Sequence, residues 1–261
     1  MRIEFLTQDD PLYVLPFFDE FVRHHGTEFE ISHVALCPTM GSRSRTRMVR
    51  ELTQLYGLPG FVRLSTRLVL AKILGTLRKK PGAPRYVTLS QLCRSYGIPI
   101  EHIGNPNAPA FVESVRLRAP DVLVSVACPY ILKEPLLTIA LKGAINIHHA
   151  PLPRYKGMMP TFWQLFHREK TVGLTIHYMG AKIDEGEALL QEEQAIEPGE
   201  SLDHLIQRSK RHGAHCMAEV LCQIRDGNAK RCPLDHAKGS YFTFPTAEEI
   251  REFRRRGYRA I

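Results

Sequence analysis

The sequence predicts an α/β fold, a mostly parallel sheet with helices on both faces, and three observations carry that expectation. Short apolar runs recur at residues 2–6, 29–36, 98–103, 121–127 and 144–148. Stretches with apolar residues at helical spacing lie between them, and a βαβαβ order with short connections builds a parallel sheet covered on two sides. The chain has 261 residues, 44% of them apolar and 24% charged, which is enough to bury one sizeable core and excludes a disordered chain.

Each element has its own signal. Residues 2–6 alternate and are apolar enough for a buried first strand, and residues 11–25 follow as a helix. Residues 29–36 read as a second strand. A Gly-Ser-Arg-rich stretch at 41–47 gives way to helical patterns through residue 56 and again from 61 to 77. Further short strands are expected at 86–88, 98–103, 121–127 and 144–148, with helices at 110–118 and 133–142. Beyond Pro153 the pattern changes to a helix at 161–168, two β-rich segments at 173–179 and 188–196, and a long helix over 202–225. Thr246 precedes Ala247-Glu248-Glu249 and predicts the N-cap of a short basic helix.

Several function classes lose ground at once. No apolar run approaches the roughly 20 residues a spanning helix needs. The start leads into Gln8-Asp9-Asp10 without the apolar core of a signal peptide. Six cysteines, at 37, 93, 128, 216, 222 and 232, form no CxxC pair, which points to a reducing, cytoplasmic setting. No GxGxxG or Walker motif occurs, so nicotinamide and P-loop chemistry are not expected. His212, His215 and Cys216 stand at i, i+3 and i+4 but bind zinc only if a third element joins them, and no metal is expected.

The formal charge of +8 fits nucleic acid, a membrane surface or an anionic small molecule, and charge alone does not choose. Arg63, Arg67, Lys72, Arg78, Lys79 and Lys80 surround Leu64, Leu68, Ile73 and Leu77. That pattern suits peripheral membrane contact through 60–80, although a surface helix packed on the sheet is the commoner outcome. Arg251, Arg254, Arg255, Arg256 and Arg259 interleave with only Phe253 and Tyr258, too few stacking platforms for single strands, and nucleic acid is not the expected partner.

The chemistry concentrates near the end of the strand at 144–148. Strand alternation points Asn146 and His148 to one face. The turn Lys182-Ile183-Asp184-Glu185-Gly186 supplies a carboxylate, with Gly186 expected to permit an unusual backbone angle. Asn, His and Asp form a kit for acyl transfer: the amide donates to a developing oxyanion, the imidazole donates or shuttles a proton, and the carboxylate fixes the imidazole and relays the proton of an attacking amine. Bland readings stand beside it, with Asn146 capping a loop, His148 a satisfied core residue and Asp184 shaping its turn.

The stretch from Asn146-Ile147-His148 through Pro151-Leu152-Pro153 to Gly157, followed by His177 and by Ile183-Asp184-Glu185-Gly186, resembles the 10-formyltetrahydrofolate-dependent N-formyltransferases. That resemblance implies the Rossmann-like formyltransferase fold, a catalytic domain over 1–226 and a short carboxyl-terminal extension over 227–261, in place of the barrel-type domain of the methionyl-tRNA enzymes. It implies that Asn146 and His148 stabilise the formyl oxyanion, that Asp184 sets the protonation of His148, and that His177 supports Asp184. The folate site is carried onto Cys128, Tyr130, Ile131 and Leu132 and onto Gly180, Ala181, Lys182 and Ile183. Where many relatives read His-Pro-Ser-Leu-Leu-Pro, this chain has His148-His149-Ala150-Pro151-Leu152-Pro153 and lacks the serine hydroxyl.

The resemblance makes 10-formyltetrahydrofolate the cosubstrate and a primary amine the acceptor, with a nucleotide-linked amino sugar the first choice. Methionyl-tRNA, a hydroxyornithine-type amine, hydrolysis of 10-formyltetrahydrofolate, and a non-catalytic folate- or membrane-binding protein are the alternatives. Trp163 either stacks on a base or sugar or packs within its helix. A homodimer remains open.

Overall fold

Phe5 lies at the centre of the fold because the first strand is buried along almost its whole length. In the computed structural model, which describes residues 1–38, 44–180 and 182–261, β1 (Arg2–Gln8) is flanked by β2 (Glu30–Cys37) and β4 (Val122–Val126). β3 (Ile100–His102) pairs with β2, and β5 (Ala144–His148) pairs with β4, all parallel. β7 (Thr171–Tyr178) and β8 (Ala188–Ala195) continue the same sheet antiparallel beyond β5. The order is β3-β2-β1-β4-β5-β7-β8, so the connections reverse direction between β1 and β4. Part of the expected 41–47 stretch, residues 41–43, lies outside the described residues.

Helices cover both faces, as the alternation predicts. α1 (Leu15–His25), α3 (Leu89–Tyr96) and α7 (Leu202–Arg225) bury Phe17, Phe18, Phe21, Leu92 and Met217 against Phe5, Val124 and Ile147. Phe5 meets Phe18 edge-on at 5.1 Å between centroids, a favoured aromatic geometry. The other face takes α4 (Pro109–Arg118) and α5 (Glu134–Leu137), which enclose Phe111, Val115 and Leu136 with Leu6 and Leu123. Glu4, fully buried on β1, is held by the Arg118 fork at 2.9 and 2.6 Å, so α4 is fixed by a charge pair as well as by packing.

Three expectations are corrected. Residues 86–88 form no strand: the Thr88 hydroxyl accepts the Gln91 N–H at 3.1 Å and caps α3, a helix not anticipated, so the β-branched pair Val87-Thr88 masks an N-terminus. The helix expected over 133–142 is the single turn of α5, which ends where the Thr138 hydroxyl turns back to the Glu134 carbonyl at 2.9 Å. The first helix starts at Leu15, because the Asp10 carboxylate accepts the N–H groups of Leu12 and Tyr13 and shapes a turn there. The two helical patterns before residue 77 form α2 (Arg45–Leu74), broken at Gly57 (φ 69°), with Pro59 just beyond.

The last elements pack onto the loop after β5. β6 (Lys156–Gly157) pairs with β9 (Tyr241–Phe242), and α6 (Pro160–Phe166) stacks Phe162 on Phe253 of α8 (Ala247–Arg255) at 4.7 Å. Thr246 and Glu249 form the reciprocal cap expected of α8. Arg254 donates to the carbonyls of Gln54 and Leu55, Arg256 to that of Phe166 and Arg259 to that of Gly199. These three arginines tie the tail to the body.

Candidate active site

β5 ends in Asn146-Ile147-His148-His149, and the pleat sends alternate side chains to opposite faces. Ile147 and His149 turn toward α7, where Ile147 Cδ1 and His149 Cε1 crowd the hydrogen face of Gly213. Asn146 and His148 turn the other way, toward the turn carrying Asp184. His148 Nε2 donates to the Tyr155 carbonyl at 2.8 Å, which leaves Nδ1 to face Asp184 Oδ2 at 3.7 Å. That separation exceeds a direct hydrogen bond. Asp184 Oδ1 stands 3.9 Å from His177 Nε2, and Oδ2 accepts the Gly157 N–H at 3.1 Å. One carboxylate therefore sits between two imidazoles and is oriented by a backbone donor.

His177, opposite Asn146 in the β5–β7 register, fixes the amide. Its Nδ1–H donates to the Tyr178 carbonyl at 2.8 Å, so Nε2 is the acceptor for Asn146 Nδ2–H at 3.2 Å. Burial, opposed by the Tyr178 carbonyl and by Asp184, lowers the His177 pKa and favours this neutral tautomer. Asn146 keeps its second Nδ2 hydrogen for another acceptor.

The Asp184 turn is built by backbone constraints. Asp184 itself adopts φ 53°, a left-handed conformation that Asp tolerates better than most residues. Gly186, for which an unusual angle was expected, has none; it is needed because a Cβ there would lie 1.6 Å from the Tyr178 carbonyl oxygen, where the two arms of the turn close. Lys156 Nζ reaches Glu185 at 3.0 Å and ties the turn to the loop after β5.

That loop is in turn held by the tail. Tyr155 N–H donates to the Ser240 hydroxyl, Lys156 N–H to the Ser240 carbonyl and Met158 N–H to the Phe242 carbonyl, each at 2.8 Å. Gly157 has φ 92°, and a Cβ there would meet the Phe242 carbonyl oxygen at 2.3 Å. Trp163 is packing: it is buried, donates to the Thr243 carbonyl at 3.0 Å and stacks on Phe242 at 4.6 Å. The sequence assigned no role to the Tyr155 carbonyl, the Gly157 N–H or the Lys156–Glu185 pair. Lys156 and Gly157 lie within the quoted motif, but nothing local marks Ser240 as their anchor.

The residues expected to hold folate separate into two groups. Cys128 stands beyond β4 with its sulfur 3.8 Å from that of Cys37; this shared hydrogen bond and burial push the Cys37 thiol up. Tyr130 is half-buried and Ile131 exposed, but Leu132 is buried in the core under α4 and α5. Gly180, Lys182 and Ile183 are exposed on the arm leading to Asp184, and Ala181 lies outside the described residues.

On the opposite side of β5, His149 Nδ1 pairs with the Ser209 hydroxyl at 2.9 Å, while its buried Nε2 has no hydrogen-bond partner. Burial and nearby Lys210 hold its pKa well below the usual value. Burial lowers Lys210 to about 8 against the attraction of Asp10, and pushes the Asp10 carboxyl up. His215 turns away from Cys216 to meet His25 and Glu20 of α1. Among the described residues no group of three or more His, Cys, Asp or Glu is arranged to hold a metal ion.

The formyl transferase family model matches residues 102–221, from β3 into α7. A methionyl-tRNA formyltransferase of Syntrophus aciditrophicus (strain SB) is 36% identical over 147 residues, 56% of this chain and 47% of that protein. The chain thus spans about half the length of the relatives it matches in sequence. The fold is shared with glycinamide ribonucleotide transformylase 1 of Symbiobacterium toebii, with a TM-score of 0.59 and 17% identity over 90% of this chain and 94% of that one. It is also shared with an N-formyltransferase of Helicobacter canadensis in complex with folinic acid and dTDP-3-aminofucose, with a TM-score of 0.57 and 13% identity over 96% and 78% of the two chains. Among the described residues no helix is long and apolar enough to cross a membrane.

Proposed function

We propose that this chain transfers a formyl group from 10-formyltetrahydrofolate to a primary amine, releasing tetrahydrofolate. The observation that carries the reading is the gathering of Asn146, His148 and Asp184 beside the end of β5, with Asp184 between His148 and His177 and Asn146 bonded to His177. In the reaction, the amine attacks the formyl carbon and the carbonyl oxygen becomes an oxyanion. The second Nδ2–H of Asn146 donates to that oxygen, and so does His148 through Nδ1–H when protonated. The His148 Nε2–H bond to Tyr155 makes Nδ1 the working nitrogen. Asp184, 3.7 Å from His148 Nδ1, stabilises the imidazolium by its charge and receives the proton the amine sheds. Collapse of the intermediate breaks the bond to folate nitrogen, which takes up a proton.

The cosubstrate's pterin is assigned to the chain at Cys128, Tyr130 and Ile131 and at Gly180, Lys182 and Ile183. The acceptor is assigned as a nucleotide-linked amino sugar; the dTDP-3-aminofucose complex of the H. canadensis neighbour supports that class by analogy. The test is incubation with 10-formyltetrahydrofolate and a panel of amines, following tetrahydrofolate release and acceptor mass. A gain of one formyl group on an amino-sugar nucleotide is expected. Folate release without a formylated amine makes the chain a hydrolase, and no turnover with any amine overturns the reading.

A further inference from the structure

The second half of α2 is turned inside out. Leu64 and Ala71, seven residues apart, are buried against the body of the protein, as a packed helix requires. The opposite face carries Val62, Thr66, Val69 and Ile73 at i, i+4, i+7 and i+11, with Leu70 beside them and Leu77 just past the helix end. Val62, Val69, Leu70, Ile73 and Leu77 are 50–61% exposed, and Leu58 at the break is 67% exposed. No element among the described residues covers this strip. Isolated exposed leucines need no explanation, but a continuous strip on one helix face does.

The strip is held as a rigid platform. At its start, Tyr56 hydrogen-bonds Tyr13 at 2.6 Å and Leu55 is buried with Phe162 and Phe253. At its end, Gln91 Nε2 donates to the Leu74 and Leu77 carbonyls and Arg94 to that of Gly75.

Charge identifies the occupant. Between Glu51 and Glu101 the chain has no acidic residue, but it has Arg63, Arg67, Lys72, Arg78, Lys79, Lys80, Arg85 and Arg94. Those eight cations equal the whole formal charge of +8, so the rest of the chain is neutral on balance. Arg63 and Arg67 flank the apolar strip on one side and Lys72 on the other. At the break a cavity of about 440 Å³ opens, lined by Tyr56, Arg63, Arg254 and Arg259 among others. Two copies meeting on this face would crowd Arg63, Arg67 and Lys72 of both around one apolar strip of five side chains, whereas anionic headgroups neutralise them.

We propose that the outer face of α2, residues 58–80, docks on an anionic lipid bilayer, with the apolar strip entering the headgroup–acyl boundary and the flanking arginines and lysines on lipid phosphates. The proposal is independent of the reaction assigned to the cleft.

Co-sedimentation with vesicles tests it. The protein is expected to pellet with phosphatidylcholine–phosphatidylglycerol vesicles at low salt, to be released as salt rises, and to stay in solution with phosphatidylcholine alone. The triple variant Val69→Gln/Leu70→Gln/Ile73→Gln is expected to lose vesicle binding, and Arg63→Gln/Arg67→Gln to weaken it by at least about tenfold. Unchanged circular dichroism and melting in both variants would show that folding is intact. Absence of anionic-vesicle binding at low salt overturns the proposal. So does full binding by the triple variant, which would make the contact purely electrostatic, as for a nucleic acid. A stable dimer in light scattering that the triple variant dissolves assigns the face to a second copy and overturns it as well.

Discussion

The cleft beside β5 and the outer face of α2 break the usual distribution of side chains in opposite ways. At the cleft, His148, His177 and Asp184 are polar groups in a largely buried position, and each has a defined partner: a carbonyl, a carbonyl and a backbone N–H. On α2, leucines and valines face outward with no element of the described residues against them. Buried polar groups cost stability unless satisfied, so the cleft is affordable only because Tyr155, Tyr178 and Gly157 hold it. Exposed apolar groups cost little in the monomer, so α2 persists without compensation. A reactive cleft must be internally complete, and a docking face must be incomplete.

The largest way to break this contrast is at the cleft. His148→Ala and Asp184→Asn are each expected to lower turnover about a thousandfold while leaving folate affinity nearly intact, because both act on charge that develops during transfer. Steady-state rates with titration of a folate analogue check this. Near-normal turnover in either variant would return His148 to a satisfied core residue.

Backbone closure of the Asp184 turn gives the next effect. Gly186→Ala forces a Cβ to within 1.6 Å of the Tyr178 carbonyl and is expected to destabilise the protein by about 3 kcal/mol and to abolish turnover. Gly180→Ala, six residues earlier on the same turn with nothing within 4 Å of its Cβ, is expected to stay within about 0.5 kcal/mol. Denaturant melts of the pair decide whether close approach, rather than sequence identity as glycine, shapes the turn.

How much of this was legible follows the range of the interactions. β5 and α7 appear at the residues expected, since alternation and helical period are local properties. The Thr88 cap was misread because Val87-Thr88 has strand propensity, while the Gln91 that decides the matter lies three residues on. Asn146, His148 and Asp184 were readable as a kit from residue type and order. The Ser240 and Phe242 bonds that hold their loop were not, because they join segments about 85 residues apart in the chain with no pattern in either. The basic pattern at 60–80 was readable too, but not which side of the helix faces out. Packing of Leu64 and Ala71 decides that, and it leaves the apolar strip in solvent.

Lys210 asks whether a buried charge near β5 is by itself a mark of function. It lies on the α7 side, away from the cleft, with its pKa lowered to about 8 by burial. Lys210→Met is therefore expected to raise stability by about 2 kcal/mol at pH 7, with Asp10 keeping its two backbone donors. The sign with pH is defined. Below pH 8 both folded and unfolded wild-type chains carry the proton, and the desolvation cost is paid in full. Between about 8 and 10.5 only the unfolded chain keeps it, so the wild type gains stability as pH rises and its gap to the Met variant closes. A gap that is constant from pH 7 to 10, or a wild type more stable than the variant, would give Lys210 a partner worth more than its burial costs.

The smallest effect is the sharpest on the other side of the comparison. Ile73→Gln replaces a side chain that is 61% exposed on α2, so little apolar area leaves water when the protein folds and little is lost on substitution. Its stability is expected to change by less than about 0.5 kcal/mol, measured by denaturant midpoint at constant slope. Leu64→Gln on the buried face of the same helix, with a side chain of similar reach, is expected to cost about 2–3 kcal/mol through an unsatisfied amide and lost packing. If Ile73→Gln costs as much as Leu64→Gln, the outer strip is covered in solution by another part of an assembly, and the two faces of α2 are not different in kind. If it costs nothing, the strip contributes no folding energy, and the apolar side chains there answer to a surface outside the chain.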